Sequence, residues 1–219
     1  RVGFWRRSAL DSIFYEQGLD LAMADATTNG IADTRSIRVV WLFNCIGTPG
    51  SLLYWNGILP PYMKRFPNSW FFTARPPSKT IEGTEKSVDC VGSWRIPLGR
   101  RQGSYERQIV IGSPKIISIV KRLNPDIVIV QEFLSFAAYL AIFRARLRGS
   151  KLLLLLESDP IRGIPSRNRS WSRLVRRWIA KRMDFFLTNN AAGKSYLVDQ
   201  LGVRSEQVHV QPYLVSEIK

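Results

Sequence analysis

The chain has 219 residues, is 45% hydrophobic, and carries 32 lysines and arginines against 17 aspartates and glutamates, a net charge of +15. That describes a globular chain with one good core and an extension; two cysteines (Cys45, Cys90) and the single His209 exclude a disulfide framework or a Cys/His metal site, and no metal is expected. The positive excess is larger than solubility alone asks of a small domain and points to an anionic partner: nucleic acid, an anionic membrane leaflet or a phosphorylated substrate.

Residues 1–36 differ from the rest and read as an N-terminal extension, partly helical. Ile13, Phe14, Leu19 and Leu21 stand at helical spacing, interrupted by Gly18 and followed by the loop-forming Thr27, Thr28, Asn29, Gly30 and Asp33. No secretory leader is legible, since Arg6, Arg7, Asp11 and Glu16 break the start, and the absence of an initial Met indicates a trimmed chain or a fragment. Cytoplasmic residence is the expectation, peripheral on the membrane if the basic surface meets lipid.

Ile37 to Phe43 (IRVVWLF) predicts a buried strand, running into a loop that holds Gly47 and Gly50. Ser51 caps a helix to about Lys64, broken or kinked at Pro60 and Pro61. Ser69 to Ala74 predicts a second strand and Val88 to Trp94 a third. The rhythm then becomes regular. Ser113-Pro114 opens a helix to Leu123, with Pro at its first position; Asp126 to Gln131 is a strand, Ser135 to Leu147 a helix, and Lys151 to Glu157 a strand. Ser170 to Met183 is a helix, Asp184 to Thr188 a strand, Asn190 to Leu201 a helix stopped by Gly202, and Gln207 to Gln211 a last strand.

Alternation at this spacing implies an α/β fold, a Rossmann-like three-layer sandwich with a mostly parallel central sheet. KLLLLLESDP (151–160) fits it: five consecutive leucines fall far short of the roughly 20 apolar residues a spanning helix needs, but suit a central parallel strand buried on both faces. In such sheets ligands bind outside the carboxyl ends of the strands. Asn44 with the Gly47/Gly50 loop, Gln131-Glu132, Glu157-Ser158-Asp159 and Thr188-Asn189-Asn190 collect there, with carboxylates able to accept hydrogen bonds from hydroxyl groups. The alternative is that these are ordinary loop and cap residues, Asn190 capping the next helix. Gly47-x-x-Gly50 is neither a dinucleotide fingerprint nor a Walker loop. No Ser/His/Asp or Cys/His constellation exists, and no catalytic residue is assigned.

Pro160 to Arg182 contains Arg162, Arg167, Arg169, Arg173, Arg176, Arg177, Lys181 and Arg182 and no acid. On a helix, Trp171, Leu174, Val175, Trp178 and Ile179 line one face, and Arg173, Arg176, Arg177 and Lys181 the other. That basic face is either a solvated surface over a core-packed helix or a contact for anionic lipid, with Arg169, Arg173, Arg176, Arg177 and Lys181 as the membrane-binding set.

NPDIVIVQEF, KLLLLLESDP, RLVRRWIAKRMDFFLTNN, AAGKSYLVDQLGV and QVHVQPYLV, in that order, resemble the N-terminal domain of GT-B glycosyltransferases of family 4. The resemblance covers residues 108–215; IRVVWLFNCIGTPGS matches the family's first strand and loop more loosely. It implies an acceptor-side domain over 37–213 and the start of a hinge at 214–219 leading to a C-terminal donor domain absent from this chain. Such enzymes, here retaining, move a sugar from a nucleotide-sugar to a glycan or lipid-linked acceptor in polysaccharide biosynthesis. The acceptor-binding residues it implies are Gly47, Gly50, Glu132, Glu157, Asp159 and Asn189. No cofactor is expected on this domain, the nucleotide-sugar belonging to the donor domain, and the chain alone is expected to be inactive. The expected partners are that donor domain, the acceptor and an anionic membrane surface. Many relatives carry a histidine where this chain has Gln131-Glu132 or Glu157. A nucleic-acid-binding module is the alternative, without an RRM, KH or helix-turn-helix signature to support it; a non-catalytic interaction domain is another.

Overall fold

A computed structural model of the chain describes residues 36–43, 59, 62–74, 88–97, 108–133, 136–157 and 170–210. The expected hinge, and the N-terminal extension apart from Ser36, lie outside these residues. The chain divides into two compact units, one holding residues 34–152 and the other residues 153–213.

The first unit begins with β1 (Val39–Phe43), VVWLF, buried at every position. It pairs in parallel with β2 (Ser69–Thr73), and β2 with β3 (Val88–Cys90). Aromatic packing covers these strands. Trp41 meets Tyr62 edge-on at 4.9 Å between ring centroids and stacks on Phe43 at 5.4 Å and Phe71 at 5.8 Å, arrangements that aromatic quadrupoles favour. Tyr62 belongs to a helical turn over 62–65, the described end of the helix expected from Ser51 to Lys64.

The strand expected from Val88 to Trp94 is two strands. Gly92 adopts φ 78°, a conformation glycine takes without penalty. The chain turns there and leaves the parallel sheet for β4 (Ser93–Pro97), which pairs antiparallel with β5 (Gln108–Gly112). β5 has no counterpart in the sequence reading.

α1 (Lys115–Leu123) follows, with Pro114 at the N-cap, one position earlier than the spacing predicts. It ends on Asn124 in the left-handed region at φ 44°. Arg148 Nη1 donates to the Lys121 carbonyl at 3.0 Å and to Asn124 Oδ1 at 2.9 Å, a cation on the last turn where the helix dipole welcomes it. β6 (Ile127–Gln131) pairs in parallel with β1, giving the order β3-β2-β1-β6. α2 (Phe136–Leu147) ends at Gly149 with φ 84°. The buried Ser150 hydroxyl donates to the Pro125 carbonyl at 2.5 Å.

β7 (Lys151–Leu156) is the leucine strand; its first two residues belong to the first unit and the remainder to the second. All five leucines are buried, each worth roughly 1.5–3 kcal/mol relative to exposure. The second unit continues with α3 (Ser170–Ala180), β8 (Phe185–Thr188), α4 (Ala191–Ser195) and β9 (Val208–Val210). β7, β8 and β9 pair in parallel in that order. The helix expected from Asn190 to Leu201 changes pitch: α4 gives way to a π-helical turn over Tyr196–Gln200, closed at Gly202 with φ 72°. The architecture is the Rossmann-like α/β arrangement of parallel strands and flanking helices that the alternation implies. Among the described residues, no helix is long and apolar enough to cross a membrane.

Candidate functional site

Register aligns the carboxyl ends of the strands within each unit. In the first, Phe43 lies opposite Thr73, and Leu42 opposite Val130, so Gln131 stands level with the end of β1. Glu132 follows at φ 61°, the left-handed region that a glutamate rarely adopts. Its side chain and that of Gln131 are half-buried. A non-glycine residue held there at the end of a parallel strand is the kind of local strain that functional sites retain.

In the second unit, Leu156 pairs with Thr188 and Thr188 with Val210. Glu157 and Asn189 are therefore the next residues on adjacent strands, whose axes lie about 4.8 Å apart. Both are half-buried. A carboxylate beside a carboxamide supplies acceptors and donors suited to polyhydroxylated ligands. Asn190 does what the cap reading expects: its Oδ1 accepts from Gly193 N at 2.9 Å at the start of α4. Gly47, Gly50, Asp159 and Arg169 lie outside the described residues.

Two buried polar atoms nearby were given no role by the sequence reading, which placed Thr188 only as one of the strand-end residues and His209 only as the single histidine. Among the described residues, Thr188 Oγ1 is buried without a hydrogen-bond partner, as is His209 Nε2 on β9. Burial, and then the charge of Lys194, push the His209 imidazole below its ordinary pKa. A histidine inside the apolar run VHV was the only available signal. At the opposite end of the first unit, Arg38 pairs with Asp126 at 3.1 Å, which raises the Arg38 pKa. The Asp126 side chain also accepts from the Arg38 backbone N–H at 2.9 Å. This ties the amino ends of β1 and β6 together, away from the candidate site. Among the described residues, no cluster of His, Cys, Asp and Glu could hold a metal ion.

The basic helix differs from its expected orientation. Ile179 and Ala180 are buried as an inner face, and Met183 just beyond the helix joins them. Arg176, assigned outward by the pattern, is half-buried and its Nη1 donates to the Tyr196 hydroxyl at 2.9 Å. Leu174 and Trp178, assigned inward, are 59% and 48% exposed. Arg173, Arg177 and Lys181 are exposed as expected. Arg176 thus finds its acceptor, the Tyr196 hydroxyl, on the inner side of α3, while Leu174 and Trp178 face solvent.

Residues 71–213 match a family model described as "Glycosyl transferase 4-like domain". Among solved structures, the chain is similar to Alr3699/HepE from Anabaena, crystallised in complex with UDP, at 16% identity and a TM-score of 0.55 over 81% of this chain and 44% of that one. It is also similar to a glycosyltransferase from Rickettsia africae ESF-5, at 13% identity and a TM-score of 0.50 over 80% of this chain and 42% of that one. Likeness at these identities shows the fold alone, and the chain spans less than half the length of either structure. No curated protein sequence matches the chain.

Proposed function

The chain belongs to the glycosyl transferase 4-like domain family, and from that membership we propose that it is the acceptor-binding domain of a retaining glycosyltransferase, which moves a sugar from a nucleotide-sugar donor to a glycan or lipid-linked acceptor. The observation that carries the acceptor role is the register that pairs Leu156 with Thr188, which makes Glu157 and Asn189 the next residues beyond the carboxyl ends of β7 and β8. Parallel α/β sheets present ligands at that edge, and a carboxylate there orients a hydroxyl by accepting its hydrogen bond. Glu132, held at positive φ at the end of β6, marks the corresponding strand end of the first unit. The donor belongs to a C-terminal partner domain, in keeping with the UDP held by the similar Anabaena structure, of which this chain covers 44%. The acceptor is met at an anionic membrane surface, to which the exposed Arg173, Arg177 and Lys181 are attracted.

The test is Glu157→Gln in the complete gene product, which keeps the shape and removes the charge. Transfer, assayed over a panel of nucleotide-sugars, falls by at least about tenfold, equivalent to about 1.4 kcal/mol of transition-state stabilisation, and the melting temperature stays unchanged. A lower melting temperature with transfer retained assigns Glu157 to loop structure instead. A complete product that transfers no sugar from any donor, yet binds duplex DNA with a steep salt dependence, replaces this reading with the nucleic-acid one.

A further inference from the structure

β3 ends at Cys90, level with Thr73 on β2 and, through it, with Phe43 on β1. Val91 N donates to the Thr73 carbonyl at 2.9 Å, and the turn at Gly92 then starts the antiparallel ribbon of β4 and β5. The ribbon closes where it opened, since Ser113 N donates to the Gly92 carbonyl at 3.2 Å. It is thus rooted at the carboxyl edge of the first unit, the edge at which parallel sheets receive ligands. β5 packs against α2, the helix that begins at Phe136 just beyond Glu132. On this ribbon Trp94 is 64% exposed, more than any other aromatic among the described residues. Trp178, the other exposed aromatic, carries the Arg182 guanidinium on its ring at 4.0 Å. Among the described residues, Trp94 has neither a cation nor a second ring against it. Opposite it on β5 is the half-buried Ile111. Opposite residues of an antiparallel pair share a face, so an apolar residue stands beside the indole.

We propose that Trp94 is a stacking platform for a pyranose unit of the acceptor. This rests on the acceptor reading above and narrows it to an acceptor that already carries sugar units, as against a bare lipid phosphate. One face of a pyranose is lined by C–H bonds, apolar and weakly positive, whereas the face of an indole is negative. C–H groups are weak donors to electron-rich acceptors, so the two faces attract. The hydroxyls project around the rim of the sugar ring, and stacking covers the C–H face without stripping them of water. An aliphatic side chain offers no flat, polarised surface of this kind. A strand also holds such a group more firmly than a loop does. A protein partner would need about 800 Å² on each side, and the other large apolar residues exposed in the first unit, Leu140 and Leu147, belong to α2. One ring suits one sugar. A bilayer would accept the indole but leaves its place at the ligand edge without a role.

The test measures binding of the full chain to an array of neutral oligosaccharides: glucans, mannans, galactans and chitin fragments. The chain is expected to bind at least one of these classes. Binding persists at about 1 M salt, where the Debye length is about 3 Å and attraction of anions to the +15 surface is screened. Trp94→Ala weakens it by about tenfold, the scale of a lost aromatic stack, at unchanged melting temperature, and Trp94→Phe recovers part of it. In the complete gene product, Trp94→Ala raises KM for a saccharide acceptor and leaves KM for the donor unchanged. Equal binding by the native and Trp94→Ala chains overturns the platform and leaves the acceptor reading standing. An array that captures nothing also overturns the platform. The acceptor reading then stands if the complete gene product transfers sugar to a polyprenyl phosphate, and falls with it if that product transfers to no acceptor. If Trp94→Ala alters only pelleting with phosphatidylcholine vesicles, or only converts a dimer to a monomer, the ring serves lipid or a second copy and the platform is overturned.

Discussion

Glu132 holds a backbone conformation that costs an L-residue roughly 1–2 kcal/mol relative to the right-handed regions, and it does so at the carboxyl end of a buried strand, with φ 61°. Ordinarily alanine outperforms glycine inside regular structure. Here the order reverses: Glu132→Gly is more stable than Glu132→Ala by about 1 kcal/mol, because only glycine escapes the steric clash. Urea denaturation of the two variants checks this, and equal stabilities would remove the strain argument. His209 makes a second residue-scale prediction. Its pKa in the folded protein lies below 6.5, chiefly through burial. The unfolded chain therefore binds the proton more readily, and stability rises with pH across the interval between the two pKa values. The contribution is complete above 6.5 and lost as pH falls toward the folded pKa. The melting temperature of the native chain should decline on acidification below pH 6.5, and His209→Gln should flatten that part of the profile; identical profiles for both proteins would refute it.

Elements show where periodicity is enough and where it is not. Strands buried on both faces were readable because burial imposes one demand on every side chain: Val39–Phe43, Ile127–Gln131 and Lys151–Leu156 fall within a residue or two of their expected bounds. α3 was readable as a helix, since its residues alternate at helical spacing, but its facing was not. A pattern weighs Leu174 and Trp178 by hydrophobicity alone, whereas the fold weighs them against Arg176 and its bond to Tyr196 across 20 residues of chain. The change of pitch at Tyr196–Gln200 is similar. It buries Tyr196 and Leu197, and Leu201 and Gly202 close it by donating to the Tyr196 and Val198 carbonyls. Helix propensity distinguishes α from π poorly, because the two share the same preferred residues. β4 and β5 pair with each other outside the parallel order, and nothing in QIVIG says whether its partner is parallel or antiparallel.

At the scale of the whole molecule, the chain covers 44% and 42% of the two similar structures. On the proposed reading as an acceptor-binding domain, the donor contacts that sugar transfer needs are not made by this chain. Purified residues 1–219 should therefore give no transfer from any nucleotide-sugar, while the complete gene product transfers; robust turnover by the 219-residue chain would mean that the site is misread. The amino-acid sequence by itself determined the α/β class, the parallel strands, the serial order that places the chain in its family, and the strand ends at which Glu132, Glu157 and Asn189 stand. These follow from local rules: apolar runs, turn residues and spacing act over a few residues and survive in one dimension. Only the tertiary structure decided that Glu157 and Asn189 follow paired residues on adjacent strands, that Glu132 is strained, that burial lowers the His209 pKa, and that α3 turns Leu174 and Trp178 outward. Each of these depends on strand register or on a partner distant in the chain, and the free energy of a contact between distant residues is not encoded in the composition of either segment alone.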